Sequence, residues 1–332
     1  MERINTVTGT CTPAELGRTL VHEHLLVGYP GWQMDALAPR FKRAEARARA
    51  VEWMHRLKDH GVRTFLDPCP MDLGRDPEFM ADVAQVSGMR IICTTGAYFE
   101  KEGLTYTFRN LPLDDIAAIY QKEIEEGIGE TGIKAGLIKV ATGAHQISDY
   151  ERKLLTAAGR AAARCDVPII THTQEGTCGP EQVELLTSQG VAPHRILVGH
   201  SDGIDDPVYH RKIVGTGSYI GFDRLGIDVI LPDAIRVKNI ASLVKDGHAR
   251  HVCLSHDSNC GAWLGRPIFA PEHPMDPSVI STMLPNWTPT HLFERVFPML
   301  REAGVSEEAL TTMVDENPAR WFRGTEPPAA AH

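Results

Sequence analysis

Eight short apolar runs, interleaved with longer helical patterns, limit what this chain can fold into more than any other feature. They are TLVHEH (19–24), RTFLDP (63–68), RIICTTG (90–96), AGLIKV (135–140), PIITHT (168–173), RILVGH (195–200), SYIGFD (218–223) and HVCLSHD (251–257). Each is too short for a helix and rich in Ile, Val, Leu or Thr, which predicts strands buried on both faces. Helices are predicted over 44–59, 77–87, 113–130, 149–164, 180–189, 207–214 and 232–246. Several open with Pro or Asp and close at Gly, as at Gly61, Gly88, Gly190 and Gly247. The alternation predicts an α/β chain folded as a (β/α)8 TIM barrel. A doubly wound open sheet is the alternative, but no GxGxxG follows an early strand, as a dinucleotide-binding version would need.

No repeat or low-complexity linker divides the 332 residues, so one domain over 1–324 is expected. The segment before Thr19 reads as a short N-terminal hairpin, and 306–322 as an extra C-terminal helix. The tail 325–332 is expected to be disordered. A net charge of −9 argues against a nucleic-acid partner, which would need clustered Lys and Arg. The basic stretch 40–49 alternates with alanines and reads as a solvated helix face. Seven scattered cysteines without a CxxC fit reduced thiols in a cytoplasmic protein. No apolar segment suggests a signal peptide or a membrane span.

The ends of the eight runs carry the chemistry. The first ends in His22 and His24, which alternate with Glu23 and so share one face of a strand. The fourth carries Lys139, the fifth ends in His172, the sixth in His200 and the eighth in Asp257. Singly, each histidine reads as a hydrogen-bonded core residue, and Asp257 as a turn cap. A barrel delivers all these ends to one mouth, where such residues converge. Lys139 is the hardest to dismiss, because an unpaired ammonium is costly in a buried strand. A His-rich set with a carboxylate and no thiolate suits catalytic zinc, cobalt or manganese rather than structural zinc. Five ligands exceed what one ion with an open position needs, so two ions are expected. A lysine carboxylated by CO2 becomes an anionic bridging ligand and loses its charge problem.

In this order and spacing, HEH, LIKVATG, THT, GHSD, GFDRLG and SHDS resemble the phosphotriesterase family of the amidohydrolase superfamily, from Gly9 to Phe322. The resemblance implies that His22, His24 and Asp257 hold the more buried metal and His172 and His200 the more exposed one. Carboxylated Lys139 and a hydroxide would bridge them; zinc is the first expectation, with cobalt, manganese or iron as alternatives. A homodimer is also implied. The lactonase branch carries a tyrosine after strand three and an arginine after strand seven, matched here by Tyr98 in TTGAYFE and Arg224 in GFDRLG. The aryl-phosphotriesterase branch has a histidine at the latter position.

The reading is therefore hydrolysis of a small-molecule lactone or related ester by attack of the bridging hydroxide. Asp257 would accept the proton, Tyr98 would orient the ring or the developing oxyanion, and Arg224 would organise the pocket wall. Phosphotriester hydrolysis is expected as a side activity, and as the alternative main one. A non-catalytic, metal-stabilised binding protein is the reading from another class. One segment departs from the family pattern: 258–291 is long, rich in proline and aromatics, and unlike the usual loop of acyl-homoserine-lactone hydrolases. A loop of that length reads as a binding loop or lid. Trp263 and Phe269 are its candidate pocket residues, and Trp287 reads as core packing.

Overall fold

The computed structural model describes residues 2–103, 106–269 and 273–327. A hairpin of β1 (Ile4–Thr6) and β2 (Gly9–Cys11) precedes eight parallel strands. These are β3 (Arg18–Leu20), β5 (Val62–Asp67), β6 (Arg90–Gly96), β7 (Leu137–Thr142), β8 (Ile169–Thr173), β9 (Ile196–Val198), β10 (Tyr219–Phe222) and β11 (Val252–Leu254). They neighbour one another in chain order, as a (β/α)8 barrel requires. Two further strands, β4 (Glu23–Val27) and β12 (Ser258–Trp263), pair in parallel above the gap between first and last strands. They close the barrel at its mouth.

Helices α1 (Arg43–Asp59), α2 (Pro77–Ser87), α3 (Tyr106–Asn110), α4 (Leu113–Glu125), α5 (Asp149–Cys165), α6 (Gly179–Thr187), α7 (Pro207–Gly215) and α8 (Asp233–Lys245) fill the crossovers. Their ends follow local chemistry. The Asp76 side chain caps α2 at Phe79 N with Pro77 in the first turn, and Gly88 terminates it at φ 65°. Ser148 and Glu151 form a capping box on α5. Helix α4 stops at Glu125 rather than 130, because Gly127 and Gly129 both adopt positive φ.

After β12 come α9 (Ile280–Met283), α10 (Phe297–Glu302), α11 (Glu307–Thr311) and α12 (Asn317–Arg323). The predicted C-terminal helix is thus interrupted: a π turn at Thr312–Glu316 joins α11 to α12. Pro318 explains it, having no N–H to donate to the preceding turn. A second π turn, Leu292–Val296, likewise precedes Pro298. Of the tail expected to be disordered, 328–332 lie outside the described residues. Among the described residues no helix is long and apolar enough to cross a membrane.

Buried side chains divide into a layer between strands and helices and a second inside the barrel. The interior layer includes Leu66, Ile92, Leu137, Ile170, Leu197 and Tyr219, with Ile4 of the hairpin and Trp321 and Phe322 of α12. Hairpin and terminal helix plug the bottom, and Leu137 and Ile170 lie one inward step below Lys139 and His172.

Two expectations about the first and last strands need correction. The run 19–24 is not one strand: it bends at Val21 and His22, where His22 N–H donates to Ser255 Oγ (3.0 Å) instead of a ladder carbonyl. Nor is 258–291 a structureless loop, because its first six residues form β12, followed by a 3-10 turn (Pro277–Val279) and α9.

Candidate active site

The strand ends bring the residues together as the barrel requires. His22, His24, Lys139, His172, His200 and Asp257 line one cavity of about 550 Å³, with Tyr98 and Arg224 on its wall. His22 and His24 leave the bend between β3 and β4. Lys139 and His172 project from β7 and β8, whereas His200 and Asp257 sit just past β9 and β11, both at φ 57°. A non-glycine residue in the left-handed region is strained, and two together mark a site whose surroundings hold them there.

Buried carboxylates orient three of the imidazoles. Asp223 at the end of β10 takes His22 Nδ1 (2.8 Å) and His200 Nδ1 (2.9 Å), and Asp67 at the end of β5 takes His24 Nδ1 (3.1 Å). Each Nδ1 is therefore the N–H, which leaves Nε2 as the ring nitrogen that faces the cavity. His172 is turned the other way: Nε2 meets Gln174 Oε1 at 2.7 Å, leaving Nδ1 toward the Tyr98 hydroxyl at 3.3 Å. Asp257 lies at the centre. Its Oδ1 is 3.0 Å from His24 Nε2 and 3.6 Å from His22 Nε2, and its Oδ2 is 3.0 Å from Arg224 Nε. Lys139 Nζ is 3.4 Å from His22 Nε2.

Burial, reinforced by the Arg224 and Lys139 charges, pushes His172 well below the ordinary imidazole range, and burial with the Arg224 charge does the same for His200. Burial and the Lys139 charge lower His22. For His24 burial also opposes charge, but hydrogen bonds to Asp257 and Asp67 outweigh it and raise the pKa well above normal. Burial alone would raise Asp257, yet His200, His22, His24 and Arg224 hold it well below the usual carboxylate range. Burial brings Lys139 down to about 8. Burial pushes the Tyr98 phenol well up, so it stays protonated.

This donor set fits divalent cations. His22, His200 and Asp257 each offer a ligand atom within 4.8 Å of the others. The cluster draws a proton onto His24 and a guanidinium onto Asp257, the positive charge a metal would otherwise supply. A second trio, His24, Asp67 and Cys69, is also close, but Asp67 already serves His24 and the Leu25 and Cys69 backbone N–H groups. It supports the ligands from behind.

The model of the phosphotriesterase family matches residues 2–322. The chain belongs to the phosphotriesterase family. An aryldialkylphosphatase of Saccharolobus solfataricus is 35% identical over 93% of this chain and 95% of its own length. A phospho-furanose lactonase of Mycoplasmopsis agalactiae is 30% identical, covering 98% and 92%. Among solved structures, an organophosphorus hydrolase from Deinococcus radiodurans superposes with a TM-score of 0.90 at 41% identity over 97% of each chain. A mutant PTE-like lactonase of that organism gives 0.89 at 40%, covering 96% and 99%. As in other members of the phosphotriesterase family, metal dependence is part of the assignment.

The pocket wall only partly matches expectation. Trp263 and Phe269 line the cavity, their rings 5.5 Å apart and edge to face. Trp287, read from sequence as packing, lines it too while its Nε1 donates to His256 O. Arg224 reaches further in than a wall residue, to the Asp257 carboxylate. Behind it, its N–H donates to Asp202, which is ion-paired with Arg236 (2.9 Å). Sequence reading missed Asp67, Asp223 and Gln174. The rule that a ligating histidine gives its other N–H to a carboxylate makes the acids of FLDP and GFD candidates, without saying which histidine either serves.

Proposed function

We propose that this phosphotriesterase-family chain hydrolyses lactones bearing an apolar substituent, with two divalent ions held by His22, His24, Lys139, His172, His200 and Asp257. Zinc is the first candidate. When bound, such a pair activates water and polarises the scissile carbonyl or phosphoryl oxygen. Lys139 suits conversion to a carbamate that would serve as a metal ligand: its lowered pKa leaves more neutral amine at neutral pH, which adds to CO2 with loss of a proton and becomes an anion. Asp257, kept ionised by its neighbours, accepts the proton of the attacking water and returns it to the leaving alkoxide. Tyr98 keeps its hydroxyl proton and donates to the oxyanion that develops at the carbonyl. Arg224 holds the Asp257 carboxylate in place through its Nε, which donates to Oδ2 at 3.0 Å.

The observation that carries the substrate reading is the outer wall. It is built from Ile227, Ile230, Trp263, Phe269, Met275 and Leu284, and among the described residues only Lys139 and Arg224 bring a Lys or Arg to the cavity. Arg224 is already paired. Among the described residues a phosphorylated sugar lactone would find no unpaired Arg to grip its phosphate; an alkyl or acyl chain gains burial. Relatives named aryldialkylphosphatase and organophosphorus hydrolase support phosphotriester hydrolysis as the second activity. The free state of all seven cysteines fits the cytoplasm, and the family resemblance supports a homodimer.

The test is to load the protein with zinc, cobalt or manganese in bicarbonate and compare kcat/KM for aliphatic lactones and an aryl phosphotriester. A lactone preference of at least about tenfold, or about 1.4 kcal/mol, is expected. A phosphotriester preference would overturn the substrate class.

A further inference from the structure

The middle residue of HEH takes no part in the cavity, yet it is fully buried and binds more densely than either neighbour. Glu23 Oε1 accepts hydrogen bonds from Ser255 Oγ (2.9 Å), His256 N (2.9 Å) and His256 Nδ1 (2.6 Å). Its Oε2 accepts from Ser258 N (3.0 Å) and Ser258 Oγ (2.5 Å). Every donor belongs to residues 255, 256 or 258, the residues surrounding Asp257.

These bonds demand a carboxylate. Both oxygens face donors only, so an amide would set an NH2 against them. Among the described residues no Lys or Arg neutralises the charge, and its ion-pair partner is His256. That imidazole accepts the Leu292 N–H at Nε2 (2.9 Å), so Nδ1 carries its one proton and the ring is neutral. A buried anion held by hydrogen bonds alone fixes its donors closely.

Asp257 is the residue that needs such fixing. Its backbone is in the left-handed region at φ 57°, an uncommon conformation for a residue with a side chain, so the bonds on either side of it help to hold it there. Its own N–H donates to His22 O (2.9 Å), and His22 N–H donates to Ser255 Oγ (3.0 Å). Consecutive residues at the start of β4 thus grip the segment that joins β11 to β12: His22 holds 255 and 257, while Glu23 holds 255, 256 and 258. The same alternation that sends His22 and His24 into the cavity sends Glu23 behind it.

We propose that Glu23 is a positioning residue for Asp257, clamping the turn after β11 so that the carboxylate faces His22, His24 and Arg224. This rests on the reading of Asp257 as metal ligand and proton acceptor. The Glu23→Gln, Asp257→Asn and double variants should be compared with wild type in two measurements. One is kcat and KM for an aliphatic lactone by the metal-loaded enzyme. The other is zinc affinity of the metal-free protein by chelator competition, which needs no turnover.

Glu23→Gln is expected to lower kcat and zinc affinity about 10–100-fold, the range for groups that orient ligands, with little change in KM. In the Asp257→Asn background the same substitution should add little to either loss, because its effect passes through Asp257. Losses that multiply in the double variant, or unchanged turnover and affinity in Glu23→Gln, would overturn the proposal. If Glu23→Gln does not fold, Ser258→Ala removes one donor while keeping the carboxylate. Its smaller loss should likewise vanish in the Asp257→Asn background, and persistence there would count against the clamp. A wild-type protein that binds zinc but cleaves no lactone would defeat the lactonase reading, while the affinity cycle would still decide the role of Glu23.

Discussion

Individual side chains in the cavity are told apart by which atom their neighbours leave free. His22, His24 and His200 present Nε2 because Asp223 and Asp67 occupy Nδ1, while Gln174 turns His172 to present Nδ1. The histidines, the lysine and Asp257 were legible in the sequence because their residue types are out of place at the ends of buried strands. Asp67 and Asp223 were not, since an acid after a strand is equally a turn or cap residue until the fold brings an imidazole to it. Tyr98 tests the chemistry at this scale. Tyr98→Phe removes one hydroxyl while keeping the ring against His172 (centroids 4.9 Å apart). It should lower kcat for lactones about 10²-fold with metal content unchanged, as measured by steady-state kinetics beside elemental analysis. An unchanged kcat would remove Tyr98 from the oxyanion's partners.

At the scale of the element, strand existence and order were legible, and strand ends were not. Runs 195–200 and 251–257 stop early as strands, at Val198 and Leu254, because the site residues beyond them leave the ladder. His200 N–H turns to the Asp223 carboxylate (2.7 Å) and Asp257 N–H to His22 O (2.9 Å). The segment after Asp257 hid a strand because β12 is short of β-branched residues: SNCGAW pairs by position, at the seam that β4 leaves open. Among the glycines the closest approach is at Gly96, where φ is 114° and a Cβ would stand 1.8 Å from Lys139 O. Gly96→Ala must therefore push β6 away from β7 beside Lys139. Destabilisation on the order of 3 kcal/mol is expected, with weakened metal retention. Urea unfolding and metal content after dialysis check both, and wild-type values would contradict the packing argument.

Across the whole molecule, the barrel concentrates buried charge at its mouth and apolar bulk at its base. Buried pairs behind the mouth carry stability as well as geometry. His291 Nε2 meets Asp233 Oδ2 at 2.6 Å, and Asp233 Oδ1 takes the Gly226 N–H (3.0 Å), tying the segment after Arg224 to α8. Burial opposes charge on Asp233, but these bonds outweigh it and lower its pKa. Its stabilisation is therefore present above the ordinary carboxylate range and is lost as pH falls through the lower folded value. Asp233→Asn should cost on the order of 3 kcal/mol at neutral pH. The gap from wild type in urea midpoint should close in acid, and a gap independent of pH would contradict it.

Separate strand ends build one metal centre through Lys139 in the proposed enzyme. The most direct measurement is metal bound per chain, by elemental analysis of wild type and Lys139→Ala loaded with zinc in bicarbonate. About two ions are expected per wild-type chain, with loss of most of that metal in the folded variant. Full metal in the variant, or none in the wild type, would contradict that centre.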